Sequence, residues 1–242
     1  MTLLRRMALI ALGAFIVVAV VFAPSAAAYI FPKIPAPTTV MVERAAPTTP
    51  VMADASLLIK RPSDLGSAFH IGGGRIVTAA HVVVGAKVVS IKSWDGRTSS
   101  ATVVAVDEKT DVAILQTNMK LLAADLSCSV VPVGTPLTAI GNPMGQEFVT
   151  VWGKVAGAPR DGLGRLLYVT DMTTVMGQSG GPVFADGRIV GVTSAVMLAP
   201  LQIPGSSGGY VPTIVGLGYV VPSTVVCEMI AKLDAAGGEG SV

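Results

Sequence analysis

An all-β fold closed by one C-terminal helix is what this 242-residue sequence predicts, and two observations predict it. From Leu57 onward, short runs rich in Val, Ile and Thr are broken by Gly, Pro or Asp-Gly, at spacings typical of sandwiches and barrels. Two of the breaks are hairpin signals. Trp94-Asp95-Gly96 separates Val88–Lys92 from Thr98–Val106, and Ala185-Asp186-Gly187 separates Val183-Phe184 from Arg188–Ser194. The remaining β-rich runs are Arg75–Thr78, Val112–Gln116, Leu137–Ile140, Val149–Val155, Leu166–Val169 and Gly216–Val221, for about ten strands in all. Only Pro222–Leu233 reads as helix, with Pro and Ser at its start and apolar residues at Val225, Val226, Met229, Ile230 and Leu233.

Composition narrows the function. With 51% hydrophobic and 13% charged residues, 27 Gly and 16 Pro, the chain is neither a coiled coil nor a charge-driven disordered protein. Arg5 and Arg6 account for the formal charge of +2. The remaining 15 basic residues balance 15 acidic ones, which argues against nucleic acid as a partner. Two histidines and two cysteines without ligand-like spacing make no ordinary zinc site, so no metal and no cofactor are expected.

The first 31 residues read as a targeting segment. Arg5 and Arg6 precede an apolar run from Met7 to Ala23, long enough to cross a hydrocarbon core as an apolar helix. Ala26-Ala27-Ala28 fits a signal-peptide cleavage site, whereas the length of the run fits a retained transmembrane anchor; both readings export the rest of the chain. Residues 32–56, with Pro32, Pro35, Pro37, Pro47 and Pro50, read as an extended linker. A folded domain is expected over 57–233, and a flexible Gly-rich tail over 234–242.

Three short motifs carry chemistry. In Gly177-Gln178-Ser179-Gly180-Gly181-Pro182, the glycines allow a tight turn whose amide N–H groups face a cleft, as a developing oxyanion requires. A Gly-Pro turn with an incidental serine would give the same hexapeptide. A serine nucleophile needs a base, and histidine serves near neutral pH. Only His70 and His81 exist, both upstream of the serine, which excludes the α/β-hydrolase order. His81 ends the strand-like Ile76–Thr78 run, where its side chain can reach a cleft; His70, between Phe69 and Ile71, reads as a strand residue. Asp111 opens an apolar strand after Glu108-Lys109-Thr110 and can orient the base. Asp95 at a hairpin tip and Asp107 at a strand exit are weaker candidates.

Thr78-Ala79-Ala80-His81, Thr110–Leu115 and Gly177–Pro182 resemble the triad motifs of the chymotrypsin-like serine proteases. Ala139–Gly145, Val169-Thr170-Asp171, Val190–Ala195 and Gly216–Ser223 resemble the HtrA/Deg branch of that family. The resemblance implies two packed six-stranded antiparallel β-barrels with the site between them. It implies His81 as base, Asp111 as its orienter and Ser179 as nucleophile, with the N–H groups of Gly177 and Ser179 as oxyanion hole. It further implies peptide-bond hydrolysis of exported or misfolded proteins, with polypeptides as substrates. A non-cleaving pseudoprotease that binds proteins and a purely structural exported β-protein are the alternatives.

The same resemblance places Thr173, six residues before the nucleophile, at the base of the S1 pocket, with Thr193, Ser194 and Ala195 as its wall. None is charged, so small or medium apolar side chains are expected at the cleavage position. It brings the C-terminal helix near the inter-barrel linker, which allows a Cys128–Cys227 disulfide in an oxidising compartment; two buried thiols are the alternative. Homo-oligomers are common in the branch, often trimers formed through N-terminal segments, and Tyr29 and Phe31 could serve that contact. Three departures stand out. Gln178 replaces the usual Asn or Asp, Met172–Met176 lacks the usual Asn-Pro approach, and no PDZ domain is expected in the nine residues after Leu233.

Overall fold

The computed structural model describes residues 50–62, 64–203 and 208–238. The apolar segment over 1–31, with Tyr29 and Phe31, and most of the linker lie outside them. Among the described residues no helix is long and apolar enough to cross a membrane.

Among the described residues twelve strands form two closed barrels. The first takes β1 (Ser56–Lys60), β2 (Leu65–His70), β3 (Arg75–Thr78), β4 (Val88–Ser93), β5 (Thr98–Asp107) and β6 (Val112–Gln116), in the spatial order β1-β2-β3-β6-β5-β4. The second takes β7 (Pro136–Gly141), β8 (Val149–Gly162), β9 (Arg165–Thr170), β10 (Pro182–Ala185), β11 (Arg188–Gln202) and β12 (Tyr210–Pro222), in the order β10-β11-β12-β9-β8-β7. Every strand pairing is antiparallel. Among the described residues the α-helices are α1 (Pro50–Asp54), α2 (Ala80–Val83) and α3 (Ser223–Gly238).

Alternation along the strands builds three apolar layers. In β1, Leu57 and Ile59 fill the first barrel while Leu58 points out; in β6, Ala113 and Leu115 point in while Val112 and Ile114 point out. Tyr168, Val183, Val190 and Val220 fill the second barrel. The outward set of the first barrel meets Ile140, Leu167, Phe184, Val192 and Val221 of the second, with Val226 of α3, in a shared layer between the barrels. Strands buried on both faces therefore read as continuous apolar runs rather than as alternation. Burying each such Leu, Ile or Phe is worth about 1.5–3 kcal/mol, so this layer fixes one barrel against the other.

Helix α3 is tied to the inter-barrel connection by the Cys128–Cys227 disulfide, whose Cα atoms lie 5.9 Å apart across a sequence separation of 99. Ser223 Oγ donates to the Ser127 carbonyl, and Arg75 pairs with Asp234 near the other end of the helix.

The fold class is as expected, but several boundaries differ. Strands β1 and β2 add to the ten runs read from sequence, and β8, β11 and β12 extend well past theirs. Residues 50–56, assigned to the linker, form α1 and the first residue of β1, because Met52, Ala53 and Ala55 are buried. Helix α3 continues past Leu233 to Gly238, into the segment assigned to a flexible tail.

Candidate active site

His81 lies on α2, the single helical turn after β3, rather than at the end of the strand itself. Ala79 leads into that turn in an extended conformation, and Arg61 Nη1 donates to the Val82 carbonyl at 2.9 Å, closing its far side. Across from it, Asp107 Oδ1 accepts the N–H groups of Lys109 and Thr110 at 3.0 and 3.3 Å. This Asx-type turn delivers the chain to Asp111, which takes φ +59°, a left-handed conformation that Asp tolerates better than most residues.

The Asp111 carboxylate is buried and well provided with donors. His81 Nδ1 lies 2.9 Å from Oδ1 and 3.1 Å from Oδ2, and the His81 backbone N–H donates to Oδ1 at 3.1 Å. Ser194 Oγ donates to Oδ2 at 2.5 Å, and Arg165 Nη1 stands 3.7 Å from the same oxygen. Burial pushes this carboxyl up, but the hydrogen bonds from His81 and Ser194 outweigh it and hold Asp111 below its ordinary value. An acceptor on Nδ1 leaves Nε2 of the imidazole for proton transfer, and the His81 side chain is half exposed.

The sign of the Asp111 shift gives a stability test. The ionised form is the one that folding favours. Its contribution is complete above the unfolded carboxylate value of about 4 and disappears as pH falls through the lower folded value. Urea unfolding midpoints measured from pH 6 down to pH 2 are expected to fall less steeply in Asp111→Asn than in the wild type.

The serine loop is held by bonds from both barrels. Ser67 of β2 sits at its centre, fully buried: its N–H donates to the Ser179 carbonyl at 2.8 Å and its Oγ to the Gly177 carbonyl at 2.7 Å. Asn142 sends its backbone N–H and its Nδ2 to Ser67 Oγ, each at 3.0 Å, and its Oδ1 accepts the Phe148 N–H. The Gly180 N–H donates to the Thr193 carbonyl at 2.7 Å, and the Thr193 N–H to the Gly181 carbonyl at 2.9 Å. With the carbonyls of Gly177 and Ser179 so engaged, the N–H groups of the same two residues have no acceptor among the described residues. That pair of free donors is what an oxyanion requires.

Two glycines of the loop combine a positive φ with a lack of room for a side chain. Gly177 takes φ +94° and Gly180 φ +84°. A Cβ at Gly177 would strike the Asn142 carbonyl, and one at Gly180 would strike Thr78 Oγ1 and the Ser67 carbonyl. Gln178, a departure from the resemblance, has a structural part here: its Oε1 accepts the Val175 N–H at 2.7 Å and closes the turn from inside.

Ser179 Oγ donates to the Ser194 carbonyl at 3.3 Å; no hydrogen bond joins it to His81. Ser194 therefore stands between the two halves of the site, its hydroxyl on Asp111 and its carbonyl on Ser179. A cleft of about 350 Å³ runs beside His81, Asp111, Arg165, Ser194 and Ala195. A second, of about 220 Å³, is lined by Thr174, Val175, Met176, Ser179, Ala195 and Val196. The larger cavity of about 700 Å³ under α3, beside the disulfide, contains none of these groups.

The wall residues fare unequally. Ala195 borders both clefts and Ser194 the first. Thr193 is buried and braces the loop through its backbone. Thr173 is exposed and lines neither cleft; the next residue, Thr174, is buried and lines the second. Sequence reading also missed Ser67, Asn142 and Arg165, and saw Ser194 only as a wall.

The sequence model described as a trypsin-like peptidase domain matches residues 66–192, more than half of the chain. The chain belongs to this family. Its relatives place this trypsin-like peptidase domain in the HtrA branch. A "probable periplasmic serine endoprotease DegP-like" of Halomonas elongata is 36% identical over 182 residues, covering 72% of this chain and 36% of the relative. The "periplasmic serine endoprotease DegP" of Salmonella typhimurium is 33% identical over 176 residues, covering 68% and 34%. Among solved structures, "HtrA-type protease AlgW with tripeptide" superposes with a TM-score of 0.65 at 28% identity, covering 76% of this chain and 62% of that one. The trypsin-like peptidase domain thus spans about a third of the length of these curated relatives.

Proposed function

We propose that the chain is a serine endopeptidase. Ser179 Oγ attacks the substrate carbonyl carbon and passes its proton to His81 Nε2, while Asp111 holds the imidazole in the required tautomer. The N–H groups of Gly177 and Ser179 receive the oxyanion. Collapse breaks the C–N bond as His81 returns the proton to the leaving amine, and water then hydrolyses the acyl-enzyme by the same path in reverse. The observation that carries this reading is the buried Asp111 carboxylate bound to His81 Nδ1 while the two loop N–H donors stand free beside Ser179. Attack needs the Ser179 hydroxyl to turn from the Ser194 carbonyl toward His81 Nε2.

That same rotamer favours a second reading, a binding module that holds polypeptides without cutting them. Casein separates the two. The endopeptidase reading expects hydrolysis by the full chain that disappears in Ser179→Ala; intact casein with wild type, under conditions where it binds, would leave only the binding module.

Exported or misfolded polypeptides are the proposed substrates, supported by the word periplasmic in the relatives' names, and export, with or without a retained anchor, is proposed on the same ground. Assembly as a homo-oligomer is proposed by likeness to the branch alone. The cleft beside Ser179, with no charged residue among its lining, supports small or medium apolar side chains at the cleavage position. Peptides cleaved after Val are expected to have a higher kcat/KM than matched peptides with Arg or Glu there; dominance of Arg would refute this pocket.

A further inference from the structure

The outer halves of β11 and β12 project from the second barrel as a two-stranded ribbon. Among the described residues, β10 pairs with β11 only as far as Val192, and β9 pairs with β12 only from Gly218 onward. Beyond those points the two strands pair with each other, from Leu198↔Ile214 to Gln202↔Tyr210. Residues paired across an antiparallel ribbon share a face, and successive pairs alternate faces. Leu198, Ile214 and Tyr210 therefore stand on one face, Leu201 and Val211 on the other, and all five are 42% to 60% exposed. No charged residue lies between Arg188 and Glu228. Exposed apolar surface of this kind marks a place where something binds.

Three features of the ribbon identify what covers it. Apolar side chains stand out on both faces, and a second copy or a peptide laid against one face would leave the other in water. Pro200 pairs with Pro212, and two prolines can face each other only where both missing N–H groups would point away from the partner strand. Each edge of the ribbon thus lacks an outward donor at its middle, which blunts both edges against a further strand. The absence of charge removes the penalty that ionised side chains meet on leaving water. A medium that is apolar, covers both faces at once and requires no strand pairing is the boundary of a lipid bilayer. Tyr210, 60% exposed near the outer end, has the amphipathic ring that is enriched at headgroup level. The sequence also contains an apolar run, Met7–Ala23, long enough to cross a bilayer.

We propose that the β11–β12 ribbon is a membrane-docking element that enters the headgroup and outer acyl region of a bilayer end-on. Penetration of about 5–10 Å, the depth that interfacial helices reach, needs no more than the outer described pairs Leu201/Val211 and Gln202/Tyr210. The strand edges then stay among headgroups and water, because open sheet edges are not tolerated deeper in hydrocarbon. Docking is hydrophobic, and so independent of lipid charge and little affected by salt. The inner end of the ribbon, Ala195 and Val196, borders the cleft beside Ser179. Five residues of strand separate Val196 from Leu201, so docking holds that cleft within about 20 Å of the membrane surface. The inference stands whether or not the chain cuts peptides.

The test puts a polarity-sensitive fluorophore on the full chain. Its two cysteines are bonded to each other, so a single introduced cysteine takes the label. The sites are Leu201→Cys on the ribbon and, as reference, Val104→Cys on β5, where the native residues are 57% and 54% exposed. On phosphatidylcholine vesicles with brominated acyl chains, the label at 201 is expected to shift to the blue and to be quenched, alike in low and high salt. The label at 104 is expected to change in neither respect. Val211→Glu in the Leu201→Cys chain is expected to abolish both signals. Val211→Lys is expected to lose them on phosphatidylcholine and regain them on phosphatidylglycerol, a lipid dependence that misfolding cannot mimic. Unshifted, unquenched emission from both sites would overturn the proposal. So would a blue shift at 201 that needs no lipid and grows with protein concentration, which would assign the ribbon to a second copy. A shift produced by unfolded casein and not by vesicles would overturn it as well, and assign the ribbon to polypeptides.

Discussion

His81→Ala is expected to lower kcat/KM on a peptide substrate by about 10⁴- to 10⁶-fold, the range found when one member of a catalytic unit is removed. The fold should survive the change. The His81 side chain is half exposed, and Asp111 keeps the backbone N–H of residue 81, the Ser194 hydroxyl and the Arg165 guanidinium as partners. A loss of about 1.5 kcal/mol in urea unfolding, the lower end for one hydrogen bond to a charged group, is expected, given the access of water to the space left behind. Large catalytic loss with small structural loss distinguishes a proton carrier from a packing residue. If kcat/KM and the unfolding midpoint fell together, or if the rate fell less than tenfold, His81 would not be the base.

Gly177→Ala is the second change with a large effect, and it acts through the backbone. The residue takes φ +94°, and its Cβ would meet the Asn142 carbonyl, which is itself fixed by the bonds Asn142 makes to Ser67. The loop has to move, and the N–H of residue 177 moves with it. Losing one oxyanion donor costs about 10²- to 10³-fold in kcat, so a fall of that size with KM changed much less is the expected kinetic result. Thermal unfolding should show a lower Tm as well, because a positive φ at a residue with a side chain adds about 1 kcal/mol or more of backbone strain. An unchanged kcat would mean that the donors facing the substrate lie elsewhere.

Much of this site was legible in the sequence because its most constrained parts are local. The glycines around Ser179 are dictated by positive φ and by a lack of room, which only that residue type satisfies. The strand runs were legible for the same reason: their side chains must fill either a barrel or the layer between barrels. What escaped is long-range. Ser67 meets Gly177 across 110 residues and Ser194 meets Asp111 across 83, and a buried serine has no local pattern that announces such a partner. Arg165 sits at the start of β9, where a basic residue reads as an exposed strand end. That Thr174 and not Thr173 lines the cleft beside Ser179 is a question of which way alternate side chains face, and the loop Met172–Met176 carries no strand period to fix it. His81 was placed on a strand because one helical turn of Ala-His-Val-Val has too few residues to show a period.

One measurement bears most directly on the claim that Ser179 is an activated nucleophile. The folded full chain is treated with a fluorophosphonate, digested and mapped by mass spectrometry. The account predicts a single phosphonyl adduct, on the peptide containing Ser179, absent from Ser179→Ala and formed far more slowly in His81→Ala. A folded protein that takes no label, or one that takes it on a different serine, would contradict it.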